Sequence, residues 1–258
     1  MNTKIISIVN QKGGVGKTTT TMNLATALCA MKKKVLIIDL DPQSNATSGL
    51  GMNNEFKYTI YDLLIGKAMP NQAIVKTPIP NLSIIPTTMD LSGVEIELAN
   101  LEQKEFFLKN CLQSNTDHFD YILIDCPPSL GILTLNALVY CNEVLIPLQC
   151  EYFALEGLKH LVNTINSIKI SLNKNLQIKG ILLTMYDARN NLSKMIDEDV
   201  RKYYKELVYK TIIPRNVKVS EAPSHGYPVI VYDPGCVGSK AYIDLASEVI
   251  LQDEKGLK

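Results

Sequence analysis

The sequence of 258 residues lacks several features that would point directly to a function. It has no tryptophan and three histidines, and its 26 Lys and Arg residues are balanced by 26 Asp and Glu residues. A net charge of zero excludes a globally basic protein, so any nucleic-acid site must be a local patch. No apolar run approaches the roughly 18 to 20 residues of a membrane span, and nothing at the amino terminus resembles a signal or transit peptide. We therefore expect a soluble, cytoplasmic chain.

The cysteines and histidines do not indicate a metal centre. Zinc and iron–sulfur sites usually show closely spaced ligands, and the sequence contains no C-x-x-C pair. We expect reduced, mostly buried thiols. The residues concerned are Cys29, Cys111, Cys126, Cys141, Cys150 and Cys236, with His118, His160 and His225 equally isolated.

The hydrophobic pattern predicts an α/β fold. Short apolar runs alternate with helix-length segments, as in a mostly parallel, twisted sheet with helices on both faces. The predicted strands are Ile5–Asn10, Lys34–Asp41, Leu82–Pro86, Tyr121–Asp125, Glu143–Pro147, Lys179–Met185 and Val208–Ile213. The predicted helices are Thr18–Met31, Val94–Gln113, Leu130–Tyr140, Ala154–Leu172, Ser193–Lys205 and Ser239–Leu251. No repeat or linker divides the chain, so we expect one domain over residues 1–258, with an irregular region from Gly51 to Thr88.

The segment Lys12–Thr19 follows the first predicted strand and reads KGGVGKTT. It fits the phosphate-loop pattern G-x-x-x-x-G-K-[ST] only in part, because Gln11 stands where the first glycine belongs. Its glycines let backbone N–H groups turn toward an anion, and the following helix adds its dipole. Lys17 would contact phosphates and Thr18 would reach Mg²⁺. An ordinary glycine-rich turn is the alternative, but the position between a strand and a helix favours nucleotide binding.

Carboxylates follow two of the apolar predicted strands. Asp39 and Asp41 end one strand, and Asp125 ends another. Ligands of open α/β sheets bind at the carboxyl ends of strands, and a strand-terminal aspartate next to a phosphate loop commonly orders Mg²⁺ and its waters. Such residues are otherwise helix caps or turn formers. Two of these strand ends in one chain favour the functional interpretation.

Five segments together resemble the ParA/Soj family of chromosome- and plasmid-partitioning ATPases, a deviant Walker-A branch of the P-loop proteins. They are KGGVGKTT, DLDPQSNAT, DCPPSLG, LLTMYDARNNL and IIPRNVKVSEAPSHG, and the resemblance runs from Ile5 to about Val249. It implies a P-loop NTPase fold and slow, Mg²⁺-dependent hydrolysis of ATP to ADP and phosphate. It further implies an ATP-dependent homodimer on non-specific double-stranded DNA, a ParB-like centromere-binding partner that stimulates hydrolysis, and a nucleoid-associated location away from the membrane.

The resemblance also implies roles for individual residues. Lys12, Lys17 and Asp41 are the expected catalytic residues: Lys12 reaches the partner protomer's phosphates, and Asp41 positions the attacking water. Thr18 would bind Mg²⁺ directly, with Asp39 and Asp125 in its outer shell. Lys12 and Gly13 would lie at the dimer contact. The expected nucleotide-binding residues are Lys12, Gly13, Gly14, Val15, Gly16, Lys17, Thr18 and Thr19, with Met185, Pro214 and Asn216 at the adenine.

A basic segment is the candidate DNA contact. Residues 189–218 contain eight basic and four acidic side chains, and a few surface cations give sequence-independent, salt-sensitive binding. A solvated helix face is the alternative. The resemblance places DNA-contacting residues at Arg189 and Lys218. Residues 235–238 read GCVG where relatives tend to carry arginines, so DNA affinity is either weaker or carried by Lys240 and the Arg189 cluster.

The alternative function is a membrane-associated regulator of the cell-division site, similar to MinD. Such a protein should end in a basic amphipathic helix that lies in the bilayer surface. Residues 241–255 have apolar positions at helical spacing, but acidic residues outnumber basic ones. We expect this helix to pack on the sheet instead.

Overall fold

A computed structural model of the chain describes residues 3–52, 55–98, 101–112, 116 and 118–256. Within these residues, seven strands form one sheet in the order β3-β4-β2-β5-β1-β6-β7. The strands are β1 (Lys4–Ile8), β2 (Val35–Asp39), β3 (Val75–Lys76), β4 (Leu82–Ile85), β5 (Tyr121–Asp125), β6 (Glu143–Gln149) and β7 (Gln177–Thr184). Among the strand pairs of the described part of the chain, only β3–β4 is antiparallel. The predicted α/β class and mostly parallel sheet are confirmed.

Helices cover both faces of this sheet. Alternate residues of β2 enter two separate apolar cores, Leu36 and Ile38 on one face and Val35 and Ile37 on the other. The helices of the described chain are α1 (Lys17–Ala30), α2 (Asn45–Gly49), α3 (Ile60–Leu64), α4 (Pro70–Ala73), α5 (Val94–Leu98), α6 (Phe107–Leu112), α7 (Ile132–Tyr140), α8 (Ala154–Ser171), α9 (Asn191–Tyr204), α10 (Val217–Glu221), α11 (Val229–Tyr232) and α12 (Val237–Lys255). Short 3₁₀ segments lie at Met89–Gly93, Lys104–Phe106, Lys205–Leu207 and Ala222–His225.

The predicted strand Val208–Ile213 is wrong. The segment runs beside β7 and touches it through two isolated bridges, Ile181 with Val208 and Tyr186 with Pro214. Between these bridges, the backbone N–H groups of residues 210 and 211 donate to the carboxylate of Glu248 on α12, at 2.8 and 3.0 Å. A side chain thus takes the donors that would otherwise extend a ladder.

The predicted helix Val94–Gln113 is interrupted. It comprises α5, the 3₁₀ segment Lys104–Phe106 and α6, and its predicted end, Gln113, lies outside the described residues. Gln103 adopts a left-handed conformation, with φ of 53°, which a continuous helix does not allow. Asn136 of α7 then fixes the new direction, because its side chain bonds Leu108 N at 3.0 Å and Lys104 O at 2.8 Å.

The region from Gly51 to Thr88 is more regular than expected. It contains α3, α4 and the unpredicted strand β3 as well as the predicted β4. At the start of α3, Thr59 donates from its backbone N–H and its Oγ1 to Asp62 Oδ2, at 2.9 and 3.1 Å. Short elements of four or five residues give too little hydrophobic periodicity to be read from sequence.

The C-terminal helix α12 packs chiefly on α1, with Tyr242, Leu245, Ala246 and Val249 buried. These residues share one apolar core with Ile6 of β1, Val35 of β2 and Leu182 of β7, so α12 lies beside α1 on this face of the sheet, as the sequence predicts. Asp253, near its end, does reach the sheet, where it forms ion pairs with Lys179 of β7 and Lys4 of β1. Among the described residues, no helix combines the length and apolar character required to cross a bilayer.

Candidate nucleotide site

The loop between β1 and α1 has the backbone that its glycines predict. Gly14 and Gly16 have φ of 73° and 87°, values that favour glycine over residues with a side chain. Gly13 has no such conformation, and a Cβ built on it meets nothing within 4 Å. The fold of this chain alone therefore does not require glycine at position 13.

Lys17 is the buried cation of the loop. It is 7% exposed, and its Nζ donates to the carbonyl oxygen of Lys12 at 3.2 Å, across the mouth of the loop. Burial lowers the pKa of Lys17, and the charges of Asp125 and Asp41 oppose that shift. A buried ammonium with one weak carbonyl partner suits an anionic ligand such as a phosphate group.

Two carboxylates lie side by side beneath the loop because β2 and β5 are neighbours. Asp39 and Asp125 are paired in the parallel register and are both fully buried. Asp39 accepts hydrogen bonds from Thr47 N and Oγ1 at 2.8 and 2.6 Å, while Asp125 accepts one from Thr21 Oγ1 at 3.0 Å. The sequence analysis did not identify Thr21 or Thr47. Thr21 lies on α1, three residues after Thr18, and Thr47 lies on α2, six residues after Asp41.

The charges of this carboxylate pair are incompletely balanced. Burial is the main cause that raises the pKa of both groups, and the charge of Asp39 raises that of Asp125 further. Asp125 Oδ2 is buried without a hydrogen-bond partner. The hydroxyl of Thr18 is among the groups that lower the pKa of Asp125, so Thr18 lies close to this carboxylate.

These residues fit Mg²⁺ held jointly with phosphate. Among the residues that the structure describes, no three His, Cys, Asp or Glu side chains form a cage for a metal. Mg²⁺ usually keeps several waters and is bound by one or two protein groups together with substrate phosphates. Thr18 would supply the direct oxygen, and Asp39 and Asp125 would hold the water shell.

Asp41 lies two residues beyond the end of β2 and is 6% exposed. Its Oδ1 accepts a hydrogen bond from Gln43 N at 3.0 Å, and its backbone N–H donates to Asp39 Oδ1 at 3.3 Å. The second bond ties the orientation of Asp41 to the carboxylate pair.

The three residues predicted at the adenine lie together beside the loop. Met185, Pro214 and Asn216 line a cavity of about 100 Å³ with Gly16 and Thr19. The other lining residues are Thr184, Ile213, Arg215, Val219, Ser220 and Tyr242. Thr184, which sequence reasoning missed, donates from Oγ1 to Val15 O at 2.8 Å and so fastens β7 to the loop.

The second lysine of the loop, Lys12, points to solvent. Its side chain is 53% exposed and forms an ion pair with Glu151, just beyond the end of β6. Its backbone N–H donates to Asn10 Oδ1 at 3.0 Å. Glu151 was not identified from sequence, where it carries no motif. Lys12 is therefore separate from the buried charges around Lys17.

The candidate DNA contacts are exposed but paired. Arg189 binds Asp187 and Lys218 binds Glu221, each with an N–O distance of 2.9 Å. Lys240, in the first turn of α12, is also exposed. Some basic residues of the segment 189–218 have a structural role instead. Arg201, for example, donates hydrogen bonds to Asp197 and to a backbone carbonyl.

Comparisons with known proteins agree with this geometry. Residues 3–178 match the family described as AAA domain. The chain is 53% identical to the sporulation initiation inhibitor protein Soj of Bacillus subtilis, over 95% of this chain and 98% of that protein. It is 51% identical to the chromosome partitioning protein ParA of Caulobacter vibrioides, over 97% of this chain and 95% of that protein. The chain belongs to the ParA/Soj family of partitioning ATPases.

A solved structure supports the fold and the cofactors of the family. Cobyrinic acid a,c-diamide synthase from Mycobacterium smegmatis, with bound ADP and magnesium, is 33% identical with a TM-score of 0.87. The match covers 99% of this chain and 97% of that chain. The predicted P-loop fold is confirmed, and ATP with Mg²⁺ are the cofactors of the P-loop ATPase family, in agreement with the sequence analysis.

Proposed function

We propose that this ParA/Soj family member is a DNA-binding switch driven by ATP. ATP brings two protomers together, the dimer binds non-specific double-stranded DNA, and slow hydrolysis, stimulated by a ParB-like centromere-binding protein, releases it. The single observation that carries the proposal is the convergence of the loop, Lys17 and the carboxylates of Asp39, Asp41 and Asp125 at the carboxyl edge of three adjacent strands.

The residues of one protomer divide the chemistry between them. Lys17 and the loop N–H groups bind the phosphates, and Thr18 with the two buried carboxylates holds the metal. Mg²⁺, when bound, offsets negative charge on the phosphate oxygens. Asp41 orients the attacking water and accepts its proton, a role that its position next to Asp39 supports.

The exposed part of the loop supports the dimer. Lys12 is free to leave Glu151 and reach the nucleotide of a facing protomer, because an exposed ion pair is worth only ~0.2–1 kcal/mol. There it offsets the charge that develops in phosphoryl transfer, as an arginine finger does. The open space at Gly13 leaves room for a close approach of the second protomer.

The burial of α12 favours DNA over a membrane as the partner. The apolar positions that a surface-bound helix would insert into lipid are covered by α1. Ile243 and Leu251 remain partly exposed on its other side, and acidic residues near the end of α12 would be repelled by anionic lipids.

The decisive test is binding to random-sequence duplex DNA with ATP, with ADP and without nucleotide, across a salt series. We expect binding that requires ATP and weakens steeply with salt. The double variant Arg189→Ala, Lys218→Ala should bind DNA more weakly, with a salt slope lower by about 2 for each protomer that contacts DNA, and should bind ATP normally. Binding to anionic liposomes with none to DNA would support the MinD-like alternative instead.

A further inference from the structure

Two of the three candidate DNA contacts, Arg189 and Lys218, are paired with nearby acidic residues. Arg189 donates to Asp187 through two atoms, Nε to Oδ1 at 3.0 Å and Nη2 to Oδ2 at 2.9 Å. The backbone N–H of Arg189 also donates to Oδ1 of the same carboxylate, at 3.0 Å. Lys218 Nζ donates to Glu221 Oε2 at 2.9 Å. Each carboxylate offsets the charge of its cation and occupies part of its N–H donors, so a DNA phosphate competes with that carboxylate for the cation.

The two ion pairs border the adenine cavity. Met185, which lines the cavity, precedes Asp187 by two residues, and Val219 and Ser220, which also line it, lie between Lys218 and Glu221. Asp187 itself lines an adjoining cavity of about 300 Å³ that shares Met185 and Arg215 with the first.

The backbone between the cavity and Arg189 is short and fixed at several points. Thr184 bonds the phosphate loop, Met185 has a left-handed φ of 50°, and Tyr186 exchanges backbone hydrogen bonds with Ile213 and Arg215 at 3.1 and 2.9 Å. A non-glycine residue with such a φ is held there by its surroundings. This short, fixed stretch of backbone joins Met185 at the cavity wall to the Asp187–Arg189 pair.

We propose that Asp187 and Glu221 are electrostatic brakes on DNA binding, which hold Arg189 and Lys218 until a nucleotide fills the cavity between the two pairs. This rests on the proposed function and specifies how its two ligands are coupled. ATP can favour DNA binding only if the protein has a state that binds both ATP and DNA more tightly than its other state does. Release of these two carboxylates supplies that difference within one protomer.

The brake on Arg189 does not depend on pH near neutrality. The hydrogen bonds from Arg189 hold the pKa of Asp187 at about 2, so its carboxylate stays charged and paired. The position of the nucleotide, rather than protonation, is then the variable that changes the pair.

The test compares Asp187→Asn with Asp197→Asn, a matched control. Asp197 lies ten residues after Asp187, within the basic segment, and pairs with Arg201 at 2.6 Å, so both variants remove one negative charge from an ion pair. We expect Asp187→Asn to raise nucleotide-free affinity for random duplex DNA about two- to fivefold above the control, the range that an exposed ion pair allows. Glu221→Gln should act in the same direction. The ratio of affinities with and without ATP should fall in both.

A second variant shows whether Asp187 acts through its arginine. The gain should disappear in Asp187→Asn, Arg189→Ala when compared with Arg189→Ala alone. Equal DNA affinity of Asp187→Asn and Asp197→Asn, or a gain that survives without Arg189, would overturn the inference while ATP-dependent binding by the parent protein stands. No DNA binding by the parent protein in any nucleotide state would overturn the proposed function, and the brake with it.

Discussion

The buried carboxylates Asp39 and Asp125 should destabilise the ligand-free fold at neutral pH, and Asp125→Asn should relieve much of that effect. Both side chains are inaccessible to solvent, and Asp125 Oδ2 has no hydrogen-bond partner. An asparagine keeps the size of Asp125 and its bond from Thr21 while it removes one buried charge.

The magnitude follows from proton linkage. The pKa of Asp125 rises from 3.8 to about 8, and that of Asp39 from 3.8 to about 6. The folded chain therefore binds more protons than the unfolded chain between these values, so the free energy of unfolding falls as pH rises. Each extra proton bound by the folded chain makes the free energy of unfolding fall by ~1.4 kcal/mol for every pH unit of increase. Between pH 6 and pH 8 the loss due to the Asp39–Asp125 pair is on the order of 2–3 kcal/mol, or about 5–10 °C in Tm.

The assay is thermal and urea unfolding at pH 6, 7 and 8, without nucleotide or Mg²⁺. The parent protein should lose stability across this range, and Asp125→Asn should lose clearly less. Asp244→Asn, which removes an exposed carboxylate of α12, serves as the control for net charge. Added ADP with Mg²⁺ should stabilise the parent protein more at pH 8 than at pH 6, because a bound cation favours the charged carboxylates. Parallel curves for the parent protein and Asp125→Asn would refute the reasoning.

Three further substitutions test the catalytic residues. Lys17→Ala should weaken ATP binding at least about tenfold by removing a charged hydrogen-bond donor, and unchanged affinity in calorimetry would disprove that role. Asp41→Ala should bind ATP and dimerise but hydrolyse roughly 100-fold more slowly; normal phosphate release would argue against water positioning. Lys12→Ala should retain nucleotide binding by the monomer yet lose the ATP-dependent dimer, and a dimer in light scattering would contradict the contact in trans.

Much of the site could be predicted from the sequence because its residues lie in short segments that directly follow apolar strands. The loop glycines and the strand-terminal Asp39 and Asp125 follow apolar strands, and parallel strands bring their carboxyl ends to one edge. The roles assigned to these residues stay predictions, as does the expectation that residues 1–258 form one domain. Thr184 and Glu151 were not predicted. The order of the strands in the sheet brings them to the loop, and no sequence spacing indicates that order.

The errors in the fold have tertiary causes. Val208–Ile213 has the composition of a strand, but Glu248, from a helix more than thirty residues later, binds two of its N–H groups. The predicted helix Val94–Gln113 has apolar periodicity across a break that Gln103 and Asn136 impose. A local sequence pattern does not show that a side chain from a distant segment will bind the backbone N–H groups of a predicted strand.

The position of Glu248 has a consequence for association between molecules. An open sheet exposes unpaired N–H groups at its outer strands, where a foreign strand can add. On one side of this sheet, Glu248 occupies two such donors beside β7. On the other, β3 is only two residues long and antiparallel to its neighbour. Both margins are thus poor templates for strand addition, which limits aggregation through the edges of the sheet.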